Sequence, residues 1–151
     1  VGIESLDEIL EFELAEWVAP KQVERTLGAQ FPEGLGVNGV ETFTRKQRSY
    51  VDFVEYEAIC PGQTQDLKLR IRELLDAKEK VVERVSDKGV RQINIRPFLM
   101  DVETEEERVY LRLQVTDSGT AKPEEILRAL GIEIRGDVRL KKTYTELRMR
   151  P

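Results

Sequence analysis

Leu10, Phe12 and Leu14 alternate with Glu11 and Glu13 along residues 9–17, the two-residue period of a strand with one buried face. Pro20 suits the first turn of a helix, where Val23, Leu27 and Phe31 recur at helical spacing until Pro32 and Gly34 stop it. A second strand is predicted over 36–43, and a polar, basic connector over about 45–50. Residues 51–59 read as a strand closed by Cys60-Pro61-Gly62. From Thr64 to Val85, an apolar stripe of Leu67, Ile71, Leu74, Leu75, Val82 and Val85 predicts one long helix, ended by Asp87-Lys88-Gly89. Ile93, Ile95 and Leu99 predict a strand bent or placed at an edge by Pro97, and Glu103 to Glu107 a charged turn.

Over 109–116 the alternation is complete, with Val109, Leu111, Leu113 and Val115 inward. Ser118-Gly119-Thr120-Ala121-Lys122-Pro123 then opens a helix with Glu124 and Glu125 in its first turn, Ile126, Leu127 and Leu130 on the core and Gly131 as C-cap. A last strand covers 138–147. From Val51 the order is strand, helix, strand, strand, helix, strand, which predicts an α+β fold of ferredoxin-like, split βαβ type. An internal repeat extends this reading. Pro20 to Gly28 aligns with Pro123 to Gly131 at an offset of 103, with Pro, Arg, Leu and Gly matched and an alternating segment ahead of each. Residues 51–151 are therefore expected to be a complete module, and residues 1–44, with elements over about 6–43, a strand–helix–strand half-module. The half-module lacks an opening strand, helix and strand.

Composition narrows the chemistry. The 151 residues include no His and one Cys. Without His there is no Ser-His-Asp or Cys-His nucleophile and no His-ligated zinc. A single Cys cannot form an intrachain disulfide and is compatible with a reducing cytoplasm. No apolar run is long enough to cross a membrane as a helix. No catalytic residue, metal site or cofactor is expected of this chain alone. Charge is uneven: residues 1–59 carry 5 Lys+Arg against 12 Asp+Glu, and residues 60–151 carry 19 against 17.

Asn94-Ile95-Arg96-Pro97, Leu111 to Thr116, Ser118 to Glu125, the opening Val1-Gly2-Ile3-Glu4-Ser5 and the Phe31 to Leu35 turn together resemble the bacterial radical-SAM-linked domain of unknown function. The resemblance covers essentially the whole chain and is most specific in the Arg-Pro and Ser-Gly-Thr-x-Lys-Pro segments. It implies an upstream stretch with a Ser-His-Leu-Asp motif, which this chain lacks, and a radical SAM enzyme domain or protein as partner. It implies no particular reaction.

Candidate binding residues follow from the basic positions. Arg112 lies between inward neighbours, so it points to the other face of the sheet, where Arg96, Arg139, Lys141 and Lys142 could join it in contacting RNA or another anion. Glu55, Glu57 and Glu146 are equally placed to pair with these cations. Ser118, Thr120 and Lys122 precede a helix start, where they serve either an anion or ordinary capping. The expectation is a non-catalytic accessory module that binds RNA or another anionic substrate. The alternative is a structural interaction or oligomerisation domain, with a homo-oligomer as one form of it.

Overall fold

The computed structural model describes residues 3–43, 48–63, 65–87 and 89–150. Residues 44–47, which include half of the expected connector, and Thr64, the expected start of the long helix, lie outside the described residues. Contacts divide the chain into two units, residues 1–8 with 50–148 and residues 9–49 with 149–151.

In the first unit, β1 (Glu4–Ser5) is followed by β2 (Arg48–Ile59), whose register with β6 (Arg108–Gln114) sets Val54, Tyr56 and Ala58 opposite Leu113, Leu111 and Val109. This row points inward, and all but the partly buried Tyr56 are buried. The core is closed by Leu67, Ile71 and Leu74 of α2 (Leu67–Asp76) and by Ile126 and Leu127 of α3 (Pro123–Ala129). Leu99 and Val102 of β5 (Leu99–Glu105) complete it from the strand side. The sheet runs β1-β7-β2-β6-β5, with β7 covering Arg139–Arg150. The strands of the two strand–helix–strand units, β2/β5 and β6/β7, alternate in that order, so the units interleave. The fold is α+β.

The long helix predicted over 64–85 is not formed. α2 ends at Asp76, and Val81–Ser86 becomes β3, hairpin-paired with β4 (Gly89–Asn94) so that Val82 faces Ile93 and Ser86 faces Gly89. Val81, Val82 and Val85 are β-branched and fit a pleated strand better than a helix interior. The bend at Pro97 is a 3-10 turn, Arg96–Phe98, and the charged turn narrows to Glu106–Glu107 because Glu103 and Glu105 belong to β5. Gly131 follows α3 with φ of 74°, the left-handed conformation expected just after a helix end.

The second unit contains α1 (Pro20–Gln30), with Pro20 in its first turn and Val23 buried. Neither flanking strand of the expected half-module is present: residues 9–17 and 36–43 carry no strand. The alternation in 9–17 chooses a face, but a strand also needs a neighbour for its N–H and C=O groups. No strand partner for this segment occurs among the described residues.

Candidate interaction face

Side chains that alternate with the core positions form the opposite face of the sheet, and cross-strand register arranges them in rows. Arg112 stands between Glu55 of β2 and Asp101 of β5; Tyr110 stands between Glu57 and Glu103; Arg108 faces Glu105. Five carboxylates thus surround two guanidiniums. The Arg112 guanidinium donates from Nε to Glu55 Oε1 at 2.8 Å and lies 5.2 Å from the Phe53 ring centroid. Arg108 pairs with Glu57. Both arginines are consumed within the face, and Asp101 and Glu103 leave it acidic.

Aromatic rings border this acidic patch. Tyr144 tilts at 47° against Phe53 with centroids 6.0 Å apart, and its hydroxyl donates to Glu146. That hydrogen bond, together with the charge of Glu146, raises the phenol's pKa above its ordinary value. Glu55, Asp101, Glu103, Tyr110, Arg112 and Thr143 line a shallow depression of about 250 Å³. This lies below the ~300–1,000 Å³ of most small-molecule sites. A broad surface fits the shape better than an enclosed ligand.

The residues expected to bind an anion are drawn into intramolecular contacts. Arg96 donates to the carbonyl oxygen of Leu75 from Nη2 at 2.7 Å and to that of Leu99 from Nη1 at 2.9 Å. It closes the C-terminal end of α2, on the helix side of the sheet. Lys141 meets Glu4 at 3.0 Å, and Lys142 meets Glu8 at 2.7 Å. The Lys142 hydrogen bond holds the Glu8 carboxyl below the usual carboxylate range, against a smaller opposing effect of burial. Arg139 is exposed at the start of β7.

Ser118 and Thr120 serve a turn. The Ser118 hydroxyl lies 2.8 Å from that of Thr116, and the Thr120 hydroxyl donates to the Gln114 carbonyl at 2.8 Å. Lys122 is the N-cap of α3, and its backbone N–H donates to Glu125 at 2.8 Å. Sequence reasoning did not find the strongest polar contact at this place. Arg84 of β3 grips Glu125 through two hydrogen bonds, Nε to Oε1 at 2.6 Å and Nη2 to Oε2 at 2.7 Å, and also reaches the Thr120 carbonyl at 2.9 Å. Its signal was the period-two placement of Val82 and Arg84, which puts both on one side of a strand. Burial raises the Glu125 pKa, but the Arg84 and Lys122 hydrogen bonds outweigh it and hold the carboxyl below its usual range.

A family model described as "Uncharacterized protein conserved in bacteria (DUF2344)" matches residues 1–127. The chain belongs to this family. The match takes in β1 to β6 and most of α3, and therefore every strand of the acidic face except β7. No curated protein and no solved structure matches the chain. Among the described residues no helix is long and apolar enough to cross a membrane.

Proposed function

We propose that the chain is a non-catalytic accessory module that binds a protein partner through the face of the sheet opposite its helices, the partner being a radical SAM enzyme. The observation that carries this reading is the acidic row structure, in which Glu55, Glu57, Asp101, Glu103 and Glu105 outnumber Arg108 and Arg112. A cationic protein surface complements it, and Phe53, Tyr110 and Tyr144 supply the amphipathic rings that favour protein interfaces. The radical SAM assignment rests on the family resemblance. The absence of His from all 151 residues supports a binding role over acid–base chemistry near neutral pH.

RNA is a poorer fit for this face. Its arginines are already paired with carboxylates, and a polyanion would meet Asp101 and Glu103. Two titrations test the proposal. Mixing the chain with a radical SAM enzyme of the same bacterium should give a complex that weakens as salt rises and weakens at least tenfold in D101K/E103K. tRNA should show no affinity even at low salt. Tight, salt-sensitive tRNA binding with no enzyme complex would overturn the proposal.

A further inference from the structure

The acidic face leaves unexplained a second surface, in the other unit. Residues 9–17 are all exposed, and five of them are large apolar side chains: Ile9 is 42% exposed, Leu10 71%, Phe12 46%, Leu14 49% and Trp17 82%. Leu10, Phe12 and Leu14 keep the period-two spacing of a strand, yet the segment pairs with no strand among the described residues. The internal repeat indicates what completes such a segment. The alternating stretch ahead of α3 is β6, which lies between β2 and β5 with Val109, Leu111 and Leu113 buried. The alternating stretch ahead of α1 lies nearer to its helix than β6 does to α3, and has neither such neighbour among the described residues.

Charge selects the occupant. Residues 1–20 contain six Asp or Glu and no Lys or Arg. A second copy paired antiparallel through this segment would bring Glu11 and Glu13 against like charges, which is destabilising in cross-strand pairs. A strand with basic residues on that side and apolar residues on the other satisfies both faces and the backbone. We propose that residues 9–17 form a docking strand that pairs with a β-strand of another protein in which apolar residues alternate with Lys or Arg. Backbone hydrogen bonds supply the pairing, as in strand addition to an exposed edge. Leu10, Phe12 and Leu14 take the apolar side, and Glu11 and Glu13 take the basic side. None of these residues belongs to the sheet face of the first unit.

Trp17 is the only tryptophan in the chain, so its emission reports this segment directly. The full chain is titrated with an eight-residue peptide of alternating Val and Lys, with an alternating Val/Glu peptide, and with a peptide of four Val followed by four Lys. The alternating Val/Lys peptide should give a saturable blue shift and protection from acrylamide, and should bind at least tenfold more tightly than the other two. L10S/F12S should abolish the response while far-UV circular dichroism stays native, and E11K/E13K should transfer the preference to Val/Glu. D101K/E103K, which disrupts the other surface, should leave the response intact. Equal responses to all three peptides, no saturable response to Val/Lys, or loss of the response in D101K/E103K would overturn the proposal. So would a peptide-free dimer, seen by light scattering, that L10S/F12S dissolves.

Discussion

Glu125 is buried, and its carboxylate is held by the Arg84 guanidinium, whose side chain is 13% exposed, and by the Lys122 N–H. Removing one partner of such a pair leaves the other uncompensated, so R84M should lower stability by roughly 3 kcal/mol in urea unfolding. The pH dependence has a definite sign. Because the folded carboxyl titrates below its unfolded value, its contribution is complete above the unfolded pKa of about 4.3 and disappears as pH falls through the depressed value. Urea midpoints measured between pH 6 and pH 3 should therefore fall less steeply in E125Q than in the native chain. Cys60 sits in the core at the end of β2, where burial, with a smaller contribution from Asp137, pushes its thiol up to about 11. At pH 8 it should react with a thiol reagent only after denaturant is added, because little thiolate exists to attack. Reaction of the folded chain within seconds would contradict the core placement.

Elements that announce themselves locally were legible in the sequence. Pro20 and Pro123 marked two helix starts, Gly131 marked a helix end, and the alternation of Val109 to Val115 marked the strand that became β6. The failures share a physical origin in partners distant along the chain. Val82 and Val85 continue the apolar stripe of Leu67, Ile71 and Leu74 at helical spacing, so periodicity alone favours one helix. What diverts them is pairing with Val90 and Ile93 across a hairpin, which no window over 64–85 contains. The alternation at 9–17 failed in the opposite way, through the lack of a strand partner among the described residues. Arg96 was legible as a cation and illegible as a cap, because the carbonyls it holds come from Leu75 and Leu99. R96A should accordingly cost ~1–3 kcal/mol of stability by leaving those oxygens without their donor. The same change should leave the salt dependence of partner binding as it was.

Across the whole molecule, the two units should report unfolding differently. The first holds the sheet and the buried core, whereas the only tryptophan belongs to the second and is already 82% exposed. Heating followed by far-UV circular dichroism should show a clear transition, while the Trp17 emission maximum moves by only a few nanometres. A large red shift at the same temperature would mean that Trp17 is sheltered in the native state. One pairing in the first unit has a consequence in time. β1 lies parallel to β7, and Thr145 donates through its backbone N–H to Asp7 Oδ2 at 2.6 Å across a separation of 138 residues. At ~5–20 residues per second a ribosome needs roughly 7–28 s to make that much chain. Through that interval the strand that begins the sheet has no edge to join, so this border of the fold closes only once synthesis has reached the last strand.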